Sequence, residues 1–297
     1  MKRSDEVAPR LCAGLGLLWM VAACGGPNAS GVAVGRVGGE LRPYGASVPQ
    51  GGEVCLIEDA LTAQPGQDKP MSDACKKALR NDRVFRKAFV ALADYGEMLD
   101  SIAGGEVDAK QAGKLEAAES GVDGADFSGI DGAEATSTRD AMQSLVKLMS
   151  TNDAEGDLGK IIKAAAPHVK AICEGLSPYL DKQAKGFHSL QEELEKKRDA
   201  KTDRRCGNVD GKGFCVGEST TDKSVYAGMY SQLATLEDAH ADAGDALDGF
   251  CAAHKKLEEA ADAGTLKDEA TYDAVVSAVK SAHGGGSSSA PAETPAK

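Results

Sequence analysis

The sequence predicts an all-α protein: an elongated antiparallel helical bundle built on a long, disulfide-stapled, coiled-coil-like hairpin. Two stretches between Leu158 and Ala261 carry apolar residues in alternating steps of three and four, the pattern of a supercoiled helix seam. Cysteines lie symmetrically about the glycine-rich turn that joins these stretches. Aromatic residues make up only 4% of the 297-residue chain. That low share suits slender helical packing better than a thick globular core or a β-sandwich.

The two arms of this hairpin differ in regularity. The seam of the ascending arm is formed by Ile162, Ala165, Val169, Ile172, Leu176, Tyr179, Gln183, Phe187, Leu190 and Leu194. The descending arm keeps its alternation throughout, at Tyr226, Met229, Leu233, Leu236, His240, Ala243, Leu247, Phe250, His254, Leu257 and Ala261. Pro167 and Pro178 should kink the ascending arm or break it into segments, because each removes a helical hydrogen bond. Gly186 lies at a position where the repeat requires an apolar residue. It could act as a hinge, but we prefer the interpretation that two helices approach closely there.

Six cysteines outside the N-terminal region predict three disulfides. In an antiparallel hairpin, the position numbers of facing residues have a nearly constant sum, a criterion met by Cys206 with Cys215 and by Cys173 with Cys251. The first pair would close the tip, and the second would join the arms about 50 Å lower, at about 1.5 Å per residue. The remaining pair is Cys55 with Cys75. Zinc binding is the alternative, but the sequence has no Cys-x-x-Cys and no histidine near the tip cysteines.

Further helices are expected before the hairpin. One begins at Ser72 or Asp73, either of which can cap it, and ends at Gly104-Gly105. Its narrow apolar stripe requires a partner helix, for which the hairpin is the obvious candidate; the stripe consists of Phe85, Ala88, Leu92, Tyr95, Leu99 and Ile102. A weaker helix over 107–119 leads to an acidic loop, 121–133, whose spacing does not fit a calcium-binding EF-hand.

Two more helices complete the predicted bundle. One covers about 134–150 and precedes the ascending arm. Gly264 should end the descending arm, and Thr265 with Asp268 should cap a last helix.

The N-terminus has the features of an export signal. A basic start precedes a short apolar run over 11–23, which ends in Val21-Ala22-Ala23-Cys24. This ending resembles the lipobox of bacterial lipoproteins, in which a signal peptidase cuts before a cysteine that carries fatty acyl chains such as palmitate. The resemblance implies lipidation of Cys24 and, with no Asp after it, placement at the outer membrane. An ordinary secretory signal with a chance cysteine is the alternative.

These features divide the chain into four parts. Residues 1–23 form the predicted lipoprotein signal peptide, and residues 24–52, rich in Gly, Ala, Ser and Val, a flexible tether. Residues 53–283 form the helical bundle, and residues 284–297 a disordered tail. The formal net charge of −12 gives no electrostatic footprint for nucleic acid. The lipid would therefore provide the contact with the membrane.

Catalytic signatures are missing from the sequence. No G-x-S-x-G, H-E-x-x-H, Walker loop or dinucleotide fingerprint occurs, so we predict no enzymatic activity and no cofactor. A metal site made of His168, His254 and Glu258 is geometrically conceivable, but polar seam residues more often fix helix register, and we predict no metal.

The functional prediction is therefore a lipid-anchored, non-enzymatic envelope protein. It would serve as a structural or adaptor module for another envelope protein, facing the periplasm or the cell surface. The alternative is a small-ligand-binding or sensor-accessory lipoprotein whose pocket opens where Pro167, Pro178 and Gly186 disturb packing. A cavity of several hundred cubic ångströms at that place would favour the alternative.

Overall fold

The computed structural model describes residues 29–48, 52, 54, 55, 57, 59, 68–104, 132–151, 157–199, 205–209, 212–216 and 220–285. The predicted all-α helical bundle is confirmed within these residues, with three short strands beside its helices. In chain order the elements are α1 (Ala29–Glu40), α2 (Arg42–Ser47), β1 (Asp68–Lys69), α3 (Asp73–Gly104), α4 (Ala133–Thr151), α5 (Leu158–Asp199), β2 (Arg205–Val209), β3 (Lys212–Val216), α6 (Thr220–Ala263) and α7 (Glu269–Gly285). The predicted signal peptide, Cys24, the helix over 107–119 and the acidic loop to residue 131 lie outside the described residues, as does the tail beyond 285.

Helices α5 and α6 form the long antiparallel hairpin. Cys173 and Cys251 are joined by a disulfide with their Cα atoms 6.3 Å apart, as the register predicts. Helix α5 is one continuous helix although it contains Pro167 and Pro178, so it is not broken into segments. Both prolines are exposed, and a ring on the solvent side leaves the packed face of the helix intact.

The predicted tether over 24–52 is wrong where the structure describes it. Helices α1 and α2 occupy 29–47, and α1 is largely buried against α3, α6 and α7. The approach of the backbones is very close: a Cβ on Gly35 would lie 2.6 Å from the carbonyl oxygen of Gly96, and one on Gly38 would lie 2.8 Å from the Cα of Gly96. The small side chains that read as a linker are therefore a packing surface.

Helix α3 has a different main partner from the one predicted. Its apolar stripe is buried as expected from Phe85 to Leu99, but α1 and α2 run antiparallel along it. Arg42 of α2 adds ion pairs to Asp94 and Glu97, the latter at 2.8 Å. The hairpin contacts α3 as well, through a stacked pair of rings, Phe85 and Tyr179, whose centroids are 3.8 Å apart.

A small sheet lies at the tip of the hairpin, where a tight reversal was predicted. Strands β2 and β3 pair in antiparallel fashion, with Cys206 opposite Cys215, and β1 pairs with β2 in parallel. The predicted Cys206–Cys215 disulfide fits this register and stays a prediction. The third predicted pair, Cys55 with Cys75, forms a disulfide with its Cα atoms 5.2 Å apart.

Helix ends follow the expected chemistry. Ser72 caps α3, because its Oγ accepts a hydrogen bond from the backbone N–H of Cys75 at 3.2 Å. Gly264 ends α6 with a φ of 73°, a left-handed conformation that glycine adopts without strain. The backbone N–H of Thr265 then donates to the carbonyl of Ala260, which closes the last turn.

The buried side chains form two separate apolar clusters. The main core runs through all the helices from α1 to α7. A smaller distal cluster, nearer the tip, consists of Val54, Phe187, Leu190, Leu194 and Leu233. Between the two clusters lies a layer of polar side chains.

Candidate functional site: a buried polar layer and an adjoining cleft

The polar layer interrupts the hairpin seam at one level. On α5 it lies between Leu180 of the main core and Phe187 of the distal cluster. Its members are Asp82 of α3, Gln183 of α5 and His240 of α6, which are 2%, 6% and 1% exposed. Polar groups buried this deeply are costly unless their hydrogen bonds are made. A connected network of hydrogen bonds gives Asp82 and Gln183 such partners.

The network is centred on the Asp82 carboxylate. Its Oδ1 accepts hydrogen bonds from the hydroxyl of Tyr179 and from Nε2 of Gln183, the second at 3.1 Å. Its Oδ2 accepts one from the backbone N–H of Gly52 at 2.8 Å. One carboxylate thus holds α3, α5 and the segment after α2 together, a geometry in which a charged acceptor strengthens each bond.

His240 extends the network to the second arm. Its Nε2 lies 2.6 Å from Oε1 of Gln183, and its Nδ1 lies 2.7 Å from the carbonyl oxygen of Leu236. Its ring also meets the edge of Phe187 in the distal cluster, with the centroids 4.7 Å apart. The contact between His240 and Gln183 therefore fixes the register of the two arms at this level of the seam.

Burial shifts the pKa values of two aromatic residues in the network, Tyr179 and His240. It raises the pKa of Tyr179, and the neighbouring Asp82 charge raises it further, so the phenol stays a neutral donor. Burial lowers the pKa of His240, although the carbonyl of Leu236 and the Asp82 carboxylate oppose this shift. Through these bonds the described members of the layer join α3, α5 and α6.

A second buried polar pair lies nearer the other end of the hairpin. Nε2 of His254 is 2.9 Å from the hydroxyl of Tyr95, and His254 is 3% exposed. Burial lowers the pKa of His254 to about 4. The conceivable metal site with His168 and Glu258 is not formed. Among the residues that the structure describes, no group of His, Cys, Asp and Glu side chains could hold a metal ion.

His168 lines a different surface. It lies on the wall of a broad, open depression of about 630 Å³ between α4 and α5, together with Thr136, Ser137, Asp140 and Ser144. This depression is open to solvent. It shares no residue with the polar layer.

A cleft of about 320 Å³ adjoins the polar layer. Its described lining consists of Val54, Ala74, Lys77, Ala78, Asn81, Tyr179, Lys182, Gln183 and Gly186. Of the three positions where the sequence predicted disturbed packing, Gly186 lines the cleft and Pro178 directly precedes the lining residue Tyr179, whereas Pro167 is not part of the described lining. A Cβ on Gly186 would be 3.6 Å from Cγ1 of Val54, so this glycine borders the space without being required by a tight contact.

The Cys55–Cys75 disulfide frames the cleft. It ties the segment that carries Val54 to the first turn of α3. Asp59 adds a second attachment, because its Oδ2 accepts a hydrogen bond from the backbone N–H of Ser72 at 3.1 Å. Two walls of the cleft, the segment with Val54 and the start of α3, are thus fixed to one another by a disulfide and a hydrogen bond.

Sequence reasoning found part of this site. It placed His240 and Gln183 on the seam and marked Gly186, but it missed Asp82. The available signal was periodicity, because Asp82 lies one step of three before Phe85 on the stripe of α3. A carboxylate at a buried position of this kind needs partners, and these are Tyr179 and Gln183.

Comparison with known proteins adds no further assignment. No protein-family model, no curated protein and no solved structure matches this chain. Within the described helices, none is long and apolar enough to cross a membrane.

Proposed function

We propose that this chain is a lipid-anchored protein of the bacterial cell envelope that acts without catalysis, by presenting a rigid helical arm to a partner protein. The anchor would be the acylated Cys24, on the resemblance of Val21-Ala22-Ala23-Cys24 to a lipobox. Two or more acyl chains at about 0.8 kcal/mol per buried methylene would suffice for stable attachment. The outer membrane is the proposed location.

The position of α1 is the observation that carries this proposal. Only residues 25–28 separate Cys24 from Ala29, so the chain between them can span at most about 18 Å. The first turn of α1 packs at the start of α5, since a Cβ on Gly31 would lie 3.2 Å from Leu158. The lipid would therefore lie near the end of the hairpin that is opposite to its tip.

The arm would then project away from the membrane. Helix α5 has 42 residues, which corresponds to a length of about 63 Å from Leu158 to the tip side. The Cys173–Cys251 disulfide and the polar layer both fix α5 to α6 along this length. A stiff arm with a small sheet at its far end is suited to reach a partner at a defined distance from the bilayer.

Cross-linking in living cells tests the adaptor role. A photo-activatable amino acid placed at Lys212 or Phe214 on the tip, or at His188 on the arm, should trap a discrete envelope protein that mass spectrometry identifies. The same group at Lys160, an exposed position at the membrane-proximal end, is the matched control and should not trap it. If the tip and arm positions trap no protein, or trap only proteins that Lys160 also traps, the adaptor proposal fails.

Metabolic labelling tests the anchor separately. A clickable fatty acid should label the wild-type protein, and Cys24→Ser should abolish the label. Cys12→Ser, which changes a cysteine inside the predicted signal, should leave it unchanged. Persistence of the label in Cys24→Ser would refute lipidation at this residue.

Binding of a small ligand is the second candidate function. The cleft of about 320 Å³ at Gly186 favours it, because that volume lies within the range of small-molecule sites. The two candidates are compatible, since the cleft and the tip lie at different heights of the arm.

A further inference from the structure

We propose that the polar layer holds one bound proton more than an ionised Asp82 and a neutral His240 would carry, and that this proton joins the two arms of the hairpin. The layer would then act as a pH-sensitive clasp, which is closed while the proton is bound and loosens when rising pH removes it. This inference goes beyond the proposed function, because it concerns how the stiffness of the arm is controlled and not what the arm contacts.

Both ring nitrogens of His240 face oxygen acceptors. Nδ1 lies 2.7 Å from the carbonyl oxygen of Leu236, and Nε2 lies 2.6 Å from Oε1 of Gln183. A neutral imidazole has one N–H, so it can donate to only one of these two oxygens. Its other nitrogen would bring a lone pair against an oxygen at hydrogen-bond distance. With Gln183 in this orientation, both contacts are hydrogen bonds only if the ring carries two protons.

Turning the Gln183 amide over does not remove the need for the proton. Its Nε2 would then donate to Nε2 of His240, and a neutral ring would donate from Nδ1 to Leu236. However, Oε1 would replace Nε2 at 3.1 Å from Oδ1 of Asp82, where two acceptor oxygens repel each other unless one carries a proton. The extra proton is therefore present in both arrangements, on His240 in the first and on Asp82 in the second.

The charge balance of the layer also favours the proton. Asp82 and His240 are only 2% and 1% exposed. With the proton, their charges sum to zero in both arrangements, whereas without it the carboxylate of Asp82 is left with a neutral partner, which is costly in a buried place. Beside the layer, His188 of α5 lies 3.8 Å from Glu237 of α6, but both side chains reach solvent, which screens their effect.

The groups that act on His240 pull its protonation in opposite directions. Burial lowers the pKa of His240, the carbonyl of Leu236 and the charge of Asp82 raise it, and Arg86 of α3 lowers it. Tyr179 of α5 stays a neutral donor, because burial and the charge of Asp82 raise its pKa. Burial alone would make the His240 site lose stability as the pH falls, whereas the bound proton makes the layer gain stability. The sign of the pH dependence therefore separates the two.

The contact between Gln183 and His240 is where loss of the proton takes effect. It joins α5 to α6, whereas the carbonyl of Leu236 belongs to the same helix as His240. When two acceptors face each other there, the arms separate at this level. The Cys173–Cys251 disulfide lies about 15 Å from Gln183 along α5, at about 1.5 Å per residue, and it limits the separation to the distal part of the hairpin.

Spectroscopy on the wild-type, full-length protein in detergent tests for the proton directly. Nitrogen chemical shifts of labelled histidine distinguish a neutral ring from an imidazolium, and His240 is identified by its contact with the ring of Phe187. The infrared carbonyl band of a protonated carboxyl group, absent in Asp82→Asn, reports a proton on Asp82. At pH 7.5 we expect one of these two signals. A neutral His240 ring without a protonated carboxyl at Asp82 would overturn the proposal.

Urea unfolding between pH 6.5 and pH 9 tests the linkage. Asp82→Asn should make the layer independent of the proton, because the amide of asparagine donates to Oε1 of Gln183 in its place. The unfolded chain has an ordinary histidine pKa of about 6.5, so the stabilising effect of the proton is complete below that pH and is lost as the pH rises. The unfolding constant of the wild type relative to Asp82→Asn should therefore rise about tenfold or more across this range.

Asp238→Asn is the matched control, since it removes an exposed carboxylate two residues before His240 on the same helix. Its ratio to the wild type should stay constant. A constant ratio for Asp82→Asn as well would overturn the bound proton. If Asp82→Asn does not fold, the histidine spectrum of the wild type, with the infrared band assigned by labelled aspartate, decides.

Amide hydrogen exchange tests the clasp. Once the proton is lost, amides around Gln183 and His240 should exchange about tenfold faster than the intrinsic pH dependence of exchange accounts for. Amides around Ile162 and Leu257, on the other side of the Cys173–Cys251 disulfide, should show no such increase. An equal change in both regions, or no change at the layer, would overturn the clasp.

Discussion

Acid should destabilise this protein through His254. Burial lowers the pKa of His254 from 6.5 to about 4, so the folded protein keeps the ring neutral at a pH where the unfolded chain protonates it. The stabilising effect is complete above pH 6.5 and is lost as the pH falls toward 4, at about 1.4 kcal/mol per pH unit. Over this window the loss from His254 alone amounts to about 3 kcal/mol. Most domains have a free energy of unfolding of roughly 5–15 kcal/mol, so this loss is a large share of the total.

Urea unfolding at several pH values between 7.5 and 4 measures this effect. Groups other than His254 also titrate, so the quantity of interest is the difference in unfolding free energy between the wild type and His254→Gln. This difference should shrink by about 3 kcal/mol from pH 7.5 to pH 4, because glutamine keeps a polar group but does not titrate. Tyr95→Phe is the control: it removes the hydrogen bond to His254 but leaves the ring buried, so its pH dependence should follow the wild type. Parallel curves for the wild type and His254→Gln would refute the reasoning.

Three further tests address the α1–α3 contact, the Cys173–Cys251 disulfide and the polar layer, again by urea unfolding. Gly96→Ala should lower the free energy of unfolding by about 1–3 kcal/mol, because its methyl group would lie 2.8 Å from the backbone of α1. The control Gly244→Ala should be neutral or slightly stabilising, since nothing lies within 4 Å of its added Cβ. Equal effects of the two substitutions would contradict the close approach of α1 and α3. Replacing both Cys173 and Cys251 by serine should lower the free energy of unfolding by up to about 4 kcal/mol, since the disulfide closes a loop with a sequence separation of 78. A loss below about 1 kcal/mol would mean that the hairpin does not depend on this disulfide. Asp82→Ala should lower the free energy of unfolding by about 3 kcal/mol or more, because three donors, Gly52 N–H, Tyr179 O–H and Gln183 Nε2–H, lose their acceptor. If the loss were smaller than that for an exposed Asp→Ala substitution, the network would not stabilise the fold.

The hairpin could be predicted because its signal is periodic. Alternating steps of three and four fix both the helical period and the buried face, and the register then assigns Cys173 to Cys251. The same logic placed His240 and Gln183 at the seam, where they bond to each other. Such a pattern depends only on relative positions along two helices, so it can be recognised without knowledge of the rest of the fold.

The failure at α1 has a physical cause. Most of its surface is buried against three helices, so its exposed face is narrow, with Arg36 and Glu40 as the charged residues on it, and the amphipathic pattern is weak. Its glycines, read as flexibility, provide close contact with Gly96. Composition alone does not distinguish these two uses of glycine. The tip sheet was a different omission, because Asp210-Gly211 between two short β-prone segments is a recognised signal for a β-hairpin.

The central position of α1 also bears on when the protein can fold. Gly38 of α1 meets Phe250 of α6, a partner more than 200 residues later in the chain. Ribosomes release the N-terminus first, so α1 is synthesised long before α6 and α7 exist, and the core cannot close during most of translation. A chain with this contact order remains without its completed core until its last helices emerge. Such a delay would suit the export that we propose, in which the chain is threaded across a membrane before it folds.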